Sequence, residues 1–551
     1  MTTTTTTRPR RARLARGAAA ALALAAGLSA CTDVTVEPRS VISPANVFDD
    51  PTAYRALLAK AYGGLALSGP EGPGSSDIQG IDAGFGQYLR VLWVMQELPT
   101  DEAILAWNDQ SAGVQDINTQ RWTPSNGSVT ALYARILLQA TLANEFLRQT
   151  TDAQLNARGA TAGVRATVQT YRAEARFLRA LSYWHAVDLY GAAPLLTEDS
   201  PIGGAAPASA TRQQLYDFVV SELQAIRPNL LVPNRANAAQ YGRATQAAAD
   251  MLLAKVYMNA QVYTGTARYA EALAATQRVI DAAAAGGFSI DPNYQRMFLA
   301  DNHTSPEFIY TVPQDGARTQ NFGGTTFLAH ASFGDNTGGV DVTRDLGLNG
   351  GWYGLRARPQ FGELFNGLTG DRRGGIQTGV QAIVFTPGQQ LNLTKTVDNF
   401  TEGYRVHKYR NVNQAGVGGA DQTFVDIDYP MFRLGDAYLM YAEAVTRGAG
   451  GSRATALGYV NALRTRANSP TITDAQLTTN FLLDERAREL FWEGHRRTDL
   501  IRYGVFTGAG KLWQFKGGAQ NGTATDAKYN LYPIPAAERA ANPNLPQNPG
   551  F

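Results

Sequence analysis

Residues 434–438 read LGDAY and residues 253–257 read LAKVY. Each stretch places a large aliphatic residue, then a small residue, then a tyrosine three positions after the small one. On a helix, the small residue lets a neighbouring helix approach closely while the tyrosine fills the next groove. A second helical pattern follows each stretch, at residues 269–280 and 454–464. This pairing predicts tetratricopeptide-like helix pairs, and an ordinary amphipathic helix bundle is the alternative.

Apolar residues recur with the 3.6-residue period of a helix through much of the chain. The first helix is predicted to begin after Asp50 and to stop at Gly63-Gly64, and Thr211 with Gln214 forms a capping-box pattern ahead of another helix. We therefore predict a mainly α protein built on a tetratricopeptide-like helical-repeat scaffold. The helical repeat regions are expected at residues 46–299 and 431–504.

The segment between these two regions, residues 300–430, has a different character. Glycine is frequent, the helical period is lost, and short β-like runs such as EFIYTV and AIVFTP occur. Long irregular connections inside a domain are commonly functional. Because this segment also contains several aromatic residues, we predict an ordered, partly β insertion that carries a ligand site. An irregular tail is expected at residues 505–551. Among the aromatic residues of the insertion are Phe322, Phe327, Trp352 and Tyr353.

The N-terminus has the pattern of a bacterial lipoprotein. Five arginines precede an apolar run that is too short to span a bilayer, and the run ends in Leu-Ser-Ala-Cys at the only cysteine, Cys31. We predict a signal peptide at residues 1–30, lipidation of Cys31 and a polar tether at residues 31–45. A buried free cysteine is the alternative reading.

The charge of the mature chain argues against nucleic acid as a partner. The whole chain has 49 basic and 47 acidic residues, and removal of residues 1–30, which contain five arginines and no acid, leaves 44 and 47, a net charge of −3. Phosphate binding needs a concentrated basic surface, and the sequence contains none.

Residues 96–110, QELPTDEAILAWNDQ, place four acids around Trp107. A glycosidase needs two sugar-facing carboxylates about 5 to 9.5 Å apart, and Glu97 or Asp101 with another acid is the candidate pair. A binding protein needs instead an exposed ring against which a sugar face can stack. Thr100 is predicted to cap a short helix, with Asp101 and Glu102 in its first turn.

Residues 485–504, ERARELFWEGHRRTDLIRYG, are the other candidate for chemistry. Glu485 and Glu489 are spaced to share a helix face, and so are His495 and Asp499 if the helix continues. Such groups suit a metal or acid–base site. The many neighbouring arginines favour an ion-pair network instead, so no catalytic residue and no cofactor is expected.

Two acidic segments leave a structural calcium ion open as a weak hypothesis. Residues 301–307, DNHTSPE, and the pair Asp426 and Asp428 supply oxygen donors. Neither segment has the ligand spacing of an EF-hand loop. Whether the protein binds a metal is therefore unknown at this stage.

Eight blocks in their order along the chain resemble the SusD/RagB family of outer-membrane nutrient-binding lipoproteins. They are the lipobox at Cys31, NVFDDPTAYRALLAKAYGGLA, QELPTDEAILAW, YRAEARFLRALSYWHAVDLYGAAPLL, RATQAAADMLLAKVYMNA, DYPMFRLGDAYLMYAEAV, ERARELFWEGHRRTDLIRYG and YPIPAAERAANPNLPQNPGF. The runs GIDAGFGQYLR, WQFKGGAQNGT, NFGGTTF and NGGW are similar to the starch-binding branch of that family.

The resemblance implies four tetratricopeptide units and a non-catalytic lipoprotein on the cell exterior. It also implies that the protein holds an α-glucan or related oligosaccharide over a SusC-like TonB-dependent transporter. In the starch-binding branch, stacking rings and polar groups form an arc that suits a curled glucan. The matching positions here are Trp107 and Trp352 as platforms, Phe322 where the branch has a tyrosine, Asp82 and Arg90 for hydroxyl groups, and Gln110 where the branch has an asparagine, with Asn108 as its substitute.

Two other functions stay open from the sequence. A surface glycosidase would use the acids of residues 96–110. A tetratricopeptide scaffold without sugar affinity would bind peptides in a concave groove.

Overall fold

The computed structural model describes residue 2 and residues 47–334, 340–368, 370–374, 390–398 and 400–551. Tyr54–Phe551 forms one compact unit, and residues 47–53 contain a 3-10 turn, Val47–Asp49, and the beginning of the first α-helix. The predicted lipidation site Cys31, the tether, and the signal peptide apart from residue 2 lie outside the described residues. The AIVFTP run at 382–387 also lies outside them.

Helices dominate the described part of the chain, which confirms the mainly α prediction. None of these described helices is both long and apolar enough to cross a bilayer. In chain order the α-helices are α1 (Thr52–Ala66), α2 (Tyr88–Glu97), α3 (Val114–Asn118), α4 (Gly127–Gln149), α5 (Asp152–Ala157), α6 (Ala162–Leu189), α7 (Arg212–Ile226), α8 (Gln246–Met258), α9 (Ala260–Thr264), α10 (Tyr269–Ala285), α11 (Gly324–Ala331), α12 (Val342–Leu346), α13 (Pro359–Gly362), α14 (Leu434–Thr446), α15 (Arg453–Arg466), α16 (Thr479–Leu490), α17 (Arg496–Arg502) and α18 (Ala536–Ala541).

The long helices pack against successive neighbours in a tetratricopeptide-like scaffold. Helix α6 packs against both α4 and α7, α10 packs against both α8 and α14, and α14 packs against α15 and α16. The capping box predicted at Thr211 and Gln214 begins α7. Helix α14 therefore continues the repeat although about 150 residues separate it in sequence from α10, which is far longer than an ordinary loop.

The LGDAY stretch packs against two neighbouring helices, α15 and α16. Tyr438 stacks on Tyr459 of α15, with ring centroids 4.2 Å apart and an interplanar angle of 24°. Gly435 faces the neighbouring helix α16 through the Glu489 side chain, because a Cβ built on the glycine would lie 3.2 Å from Glu489 Oε1. A Cβ built there would lie 2.8 Å from Glu307 Oε1, and the Gly435 N–H donates to that oxygen at 3.2 Å. The glycine is needed because a buried carboxylate lies against the helix N-terminus.

The first helix also departs from its predicted end. Helix α1 runs through Gly63 and Gly64 to Ala66. A Cβ at Gly64 would lie 2.3 Å from Gln139 Oε1 of α4. The glycine therefore permits close approach of two helices instead of ending one, since neither glycine adopts a left-handed backbone.

Strands are few and short within the described residues. They are β1 (Ile104–Leu105), β2 (Ala193–Pro194), β3 (Ser209–Ala210), β4 (Phe308–Val312), β5 (Leu355–Arg356) and β6 (Tyr429–Arg433). Each lies in a two-stranded antiparallel sheet, which pairs β1 with β5, β2 with β3 and β4 with β6. The β1–β5 pair ties the segment between α10 and α14 to the first helical region, whereas β4 and β6 pair within that segment.

The acids and arginines of residues 485–504 form a buried ion-pair network. Helix α16 ends at Leu490 and α17 begins at Arg496, so His495 and Asp499 do not continue the face of Glu485 and Glu489. Glu485 pairs with Arg373, Arg464 and Arg488, and Glu489 pairs with Arg373, Arg433 and Arg466. Every one of these side chains is buried, which matches the ion-pair reading of this stretch.

The network also joins the two tyrosine-containing stretches. Lys255 of α8 donates to Asp436 of α14, and Asp436 also accepts from Arg486 Nη1 at 2.8 Å. Buried charges are costly to leave unpaired, so each member constrains the position of its partner's helix.

Candidate functional site

Strand pairing brings together two tryptophans that lie 245 residues apart in sequence. Strands β1 and β5 pair with Ile104 opposite Arg356 and Leu105 opposite Leu355. Trp107 follows β1 and Trp352 precedes β5, so antiparallel pairing places them on the same edge. The Trp107 Nε1 donates to the Trp352 carbonyl oxygen at 2.8 Å, and the two ring centroids are 6.4 Å apart at 44°.

A third ring extends this cluster. Phe322 lies 6.4 Å from Trp352 between ring centroids, at an interplanar angle of 52°, and its side chain is 37 % exposed. Both tryptophans are half-buried. Three rings from distant segments thus follow one another with successive tilts of 44° and 52°, which makes a curved aromatic surface. We refer to Trp107, Trp352 and Phe322 as the aromatic arc.

The orientation of Trp352 is fixed by a buried histidine. The His330 ring stacks on the indole with centroids 4.6 Å apart and an angle of 16°. Its two ring nitrogens lie 2.7 Å from the Gly350 carbonyl oxygen and 3.0 Å from that of Thr423. Burial lowers the pKa of His330. One face of the Trp352 indole is therefore covered by protein, and a ligand can stack only on the other.

Trp107 lies against bare backbone. A Cβ built on Gly354 would be 2.7 Å from the indole Cε2 and Cζ2 atoms of Trp107. Since real Cβ atoms do not approach so closely, the glycine is required for this position of the ring. The Gln115 side chain also donates to the Trp107 carbonyl oxygen, at 2.5 Å. The arc is thus held by contacts beneath it and not by the rings alone.

Asp82 and Arg90 lie beside the arc. Asp82 Oδ1 accepts from the N–H groups of Gly84 and Phe85 at 2.8 and 2.9 Å, while the residue stays exposed. Its Oδ2 accepts no hydrogen bond from the described residues. The Arg90 Nη1 donates to the Phe322 carbonyl oxygen at 2.9 Å.

The Arg90 guanidinium also contacts two rings. It lies 4.4 Å from the centroid of the buried Phe327 ring and 5.8 Å from that of Trp107. Burial lowers the pKa of Arg90 to about 10, and the carboxylates of Asp82 and Asp109 act in the opposite direction. The arginine remains charged at neutral pH and supports the aromatic arc from its edge.

Asn108 and Gln110 are exposed in the loop that follows Trp107. Their side chains make no hydrogen bond to any other residue that the structure describes. They lie next to the arc in sequence, but the arc is built without them.

The acids that precede Trp107 are not part of this surface. Glu97 and Asp101 are fully buried and Glu102 is 1 % exposed, so none of them faces solvent. Asp101 accepts from Arg496 Nε and Nη2 at 2.7 Å each, and Lys511 Nζ lies 2.9 Å away. The glycosidase hypothesis needs a sugar-facing pair from this stretch, which the burial of these carboxylates contradicts.

The short helix predicted after Thr100 is also wrong. Residues 99–103 form turns that lead into β1. Thr100 Oγ1 donates back to the Glu97 carbonyl oxygen at 2.6 Å and accepts from the Glu102 N–H at 3.1 Å. The buried partner of Asp101 fixes the chain in a turn and overrides the local helix signal.

Three residues near the arc were not assigned to the site from sequence. Phe424 lies 5.3 Å from Phe322 between ring centroids, Tyr353 is 43 % exposed at a φ of 53°, and His330 stacks under Trp352. Tyr353 could have been assigned to the site from sequence, because it directly follows Trp352. Phe424 and His330 could not, because only folding brings them to these rings.

The two aspartates of the second segment considered for calcium, Asp426 and Asp428, have their carboxylate oxygens engaged. Asp426 accepts from the Gly316 and Ala420 N–H groups at 2.7 Å each, and Asp428 accepts from the Gln314 N–H at 2.7 Å and from the Tyr241 hydroxyl. Among the described residues, no three His, Cys, Asp or Glu side chains are grouped as metal ligands. The calcium hypothesis gains no support from this geometry.

Comparison with known proteins decides the family. The model described as "SusD family" matches residues 372–551, and the model described as "Starch-binding associating with outer membrane" matches residues 90–258. The chain is 33 % identical to the starch-binding protein SusD of Bacteroides thetaiotaomicron, over 96 % of this chain and 97 % of that protein. The chain belongs to the SusD family. SusD-family proteins are not catalysts, so the expectation that this protein is not an enzyme is confirmed.

Solved structures of the SusD superfamily share the fold. One from Bacteroides thetaiotaomicron superimposes with a TM-score of 0.69 at 18 % identity and covers 91 % of this chain and 99 % of its own. The surface glycan-binding protein A of the same organism, in complex with laminarihexaose, gives a TM-score of 0.65 at 19 % identity and covers 90 % of this chain and 98 % of its own. These SusD-superfamily neighbours confirm the tetratricopeptide-like architecture.

Proposed function

We propose that this SusD-family protein is a cell-surface lipoprotein that captures α-glucan, such as starch or maltooligosaccharides, on the aromatic arc. The observation that carries the proposal is the convergence of Trp107, Trp352 and Phe322 in one curved, partly exposed surface. A pyranose ring has an apolar face that stacks on an aromatic ring, and a curled glucan follows a curved set of rings. Asp82 and Arg90, with Asn108 and Gln110, contribute hydrogen bonds to hydroxyl groups at its edge.

Delivery completes the proposed role. Lipidated Cys31 anchors the protein in the outer membrane, facing the exterior, and the bound oligosaccharide passes to a SusC-like TonB-dependent transporter. Residues 300–430 supply two of the three rings as the ligand-binding insertion, while the first helical region supplies Trp107. Each stacked ring contributes about 1 kcal/mol, so binding is weak enough for the cargo to be released.

The choice of glycan rests on the starch-binding relative and on the curvature of the arc. A structural neighbour is described in complex with laminarihexaose, a β-linked glucan. The affinities of this protein for an α-glucan and a β-glucan therefore need to be compared directly. The peptide-binding hypothesis has no corresponding observation. The aromatic arc consists of neighbouring rings with polar side chains along one edge. A peptide-binding groove instead needs hydrogen-bonding groups at regular spacing for the peptide's main-chain N–H and C=O groups.

Calorimetric titration with maltoheptaose and laminarihexaose tests the proposal. We expect maltoheptaose to bind more tightly, and Trp107→Ala to weaken its binding by about tenfold or more, because the change removes one platform and frees its neighbour. Trp107→Phe keeps a ring and serves as the matched variant, with a smaller loss. Thermal unfolding of both variants checks that the fold is retained. Unchanged affinity in Trp107→Ala contradicts the site, and tighter binding of laminarihexaose contradicts the choice of α-glucan.

A further inference from the structure

A large cleft lies outside the aromatic arc. It is bounded by the loop 234–242, the C-terminal end of α10 with residues 286–288, and parts of the segment 303–315, and its volume is about 1070 Å³. Sites for small molecules commonly measure roughly 300–1,000 Å³. None of the seven residues assigned to the arc and its edge lines this cleft. The space suits a ligand of several sugar units.

The walls of the cleft are fixed to one another. The Arg235 N–H donates to the Gly286 carbonyl oxygen at 2.9 Å, and the Arg235 guanidinium donates to the Thr304 carbonyl oxygen. Gly242, at a φ of 71°, lies so close to Pro313 that a Cβ would be 2.6 Å from its Cγ. These contacts join all three walls, so the cleft exists before any ligand enters.

Aromatic side chains line the cleft at partly exposed positions. Tyr241 and Phe288 are half-buried and His303 is exposed. The Tyr241 and His303 rings meet edge to face, with centroids 6.4 Å apart at 80°. The Tyr241 hydroxyl donates to Asp428, and Asp428 also accepts from the Gln314 N–H at 2.7 Å. The tyrosine ring is therefore held in place with its hydroxyl directed inward.

The loop presents amide groups whose oxygens are already used. Asn234 Oδ1 accepts from the Ala236 N–H at 3.0 Å, Asn237 Oδ1 accepts from the Ala239 N–H at 3.1 Å, and Gln240 Oε1 accepts from the Asn234 N–H at 2.9 Å. Their three NH2 groups donate to nothing within the described residues. Because the oxygens fold the loop, the nitrogens remain as fixed donors at the cleft.

The charges of the lining are balanced. The ionised candidates are Arg235, Asp315 and Asp428, and Asp315 Oδ2 accepts from Arg318 Nη1 at 2.9 Å. Asp428 has both oxygens engaged by Tyr241 and Gln314. No surplus of either sign faces the cleft, which disfavours phosphorylated, acidic and cationic ligands. Rings beside neutral donors match an uncharged polyhydroxylated ligand.

We propose that this cleft is a second carbohydrate-binding site, which takes a neutral oligosaccharide. Tyr241, Phe288 and His303 supply faces or edges for the sugar rings. The NH2 groups of Asn234, Asn237 and Gln240 donate to its hydroxyl and ring oxygens. The site is separate from the aromatic arc in all its lining residues, so its occupancy does not depend on the function proposed for the arc.

Two substitutions on one helix end provide a matched test. Ala284 and Ala285 are adjacent and both exposed, but only Ala285 lines the cleft. Ala285→Trp places a large side chain in the cleft, and Ala284→Trp places the same side chain beside it. His303→Ala removes an exposed ring without filling space. Thermal unfolding checks that the three variants keep the fold.

The measurement is made on the full chain in detergent, with Trp107→Ala present to weaken the arc. Maltoheptaose and laminarihexaose are the probes, each at up to about 10 mM, which detects weak binding. Hydrogen–deuterium exchange by mass spectrometry reports on residues 234–242 and 303–315. We expect one of the oligosaccharides to protect these segments. Ala285→Trp and His303→Ala should weaken that binding by at least about fivefold, and Ala284→Trp should leave it unchanged.

Three outcomes overturn the proposal. The first is that neither oligosaccharide protects the cleft segments from exchange. The second is that Ala285→Trp leaves the residual oligosaccharide binding unchanged. The third is that a mixed peptide pool protects these segments and neither oligosaccharide does. The function of the arc has its own readout, which is the effect of Trp107→Ala on the wild-type titration. Failure of either site is therefore distinguishable from failure of the other.

Discussion

Residues 97–102 and residues 107–110 belong to one short acidic stretch, yet they differ completely in surroundings. The first segment is sealed in the scaffold, where Asp101 meets Arg496 from 395 residues further along the chain. The second segment emerges at the surface, where Trp107 lies on the Gly354 backbone and next to Trp352. Strand β1 separates the two segments. Its pairing with β5 directs one end of the stretch inward and the other outward.

The difference shows that contacts with residues distant in sequence determine whether a residue of this stretch stabilises the core or lies at the surface. Burial acts to raise the pKa of Asp101, but Arg496 and Lys511 outweigh it and hold that pKa well below its usual range. The carboxylate is thus ionised and fully paired, and it stabilises the fold. Trp107 instead keeps part of its ring exposed because a glycine lies beneath it. Four predictions separate the two segments, in order of decreasing expected effect.

Asp101→Ala should destabilise the protein most. It leaves the buried Arg496 guanidinium with Glu102 Oε1 at 3.6 Å as its remaining carboxylate, and breaking a buried ion pair costs about 3–5 kcal/mol. Denaturant unfolding measures the loss. Gln110→Ala, in the exposed segment of the same stretch, is the control and should change the free energy of unfolding by less than about 0.5 kcal/mol. Equal effects of the two changes would contradict the contrast between the segments.

Glu97→Gln should change how stability depends on pH. Burial raises the pKa of Glu97 from 4.5 to about 8, and it also raises the pKa of the adjacent Glu102. The folded protein therefore holds a proton that the unfolded chain releases above about pH 4.5, so this pair favours folding at low pH and the benefit is lost as pH rises towards 8. One proton corresponds to at most about 1.4 kcal/mol per pH unit.

The test compares unfolding free energies of wild type and Glu97→Gln at pH 5, 6, 7 and 8. Other buried groups titrate in both proteins, so the difference between them isolates this carboxyl. We expect the variant to gain stability relative to wild type as pH rises. A difference that stays constant with pH would show that Glu97 carries no proton in the folded state.

Gly354→Ala should affect binding by moving Trp107. The added Cβ would lie 2.7 Å from the indole, so the ring must shift away from its contact with Trp352. We expect a loss of about 1 kcal/mol, or roughly fivefold in affinity for maltoheptaose. Gly63→Ala is the matched control, because a Cβ there meets nothing within 4 Å. Equal affinities of the two variants would show that the indole position is not set by Gly354.

Phe322→Tyr should have the smallest effect. The resemblance to the starch-binding branch implies a tyrosine at this position, and Phe322 is partly exposed. Adding the hydroxyl gives a sugar one more hydrogen-bond partner, and because this position is exposed to competing water we expect the low end of the usual range, about 0.5 kcal/mol. We expect slightly tighter binding of maltoheptaose by calorimetry and no change in thermal stability. Weaker binding would indicate that the added hydroxyl obstructs the ligand, and therefore that the ligand contacts the edge of the Phe322 ring and not its face.

Much of the helical architecture was predictable from local patterns. The capping box at Thr211, the apolar periodicity of α4 and α6, and the contact of Tyr438 with its neighbouring helix depend on residues close in sequence. The predicted stop at Gly63-Gly64 and the predicted helix after Thr100 failed. In both places a residue from elsewhere, Gln139 or Arg496, decides the local conformation.

Arginines near acids in residues 485–504 indicated ion pairing, but the partners could not be named from sequence. Several of them, such as Arg373 and Arg433, come from outside that stretch. Local sequence singled out Trp107, Trp352 and Phe322 as candidate aromatic residues, and the family resemblance assigned them to one site. Their spatial order, the histidine beneath Trp352 and the glycine beneath Trp107 required the folded chain.

By itself, the sequence determined a near-neutral, helix-rich chain of the SusD family, because periodicity, caps and family motifs are encoded in neighbouring residues. Only the tertiary structure decided which acids are buried and which rings face solvent. The physical reason is that burial and ion pairing depend on groups hundreds of residues apart, as with Asp101 and Arg496 or Trp107 and Trp352. The tertiary structure also assembled the cleft at Tyr241 and His303 from segments that no local pattern connects.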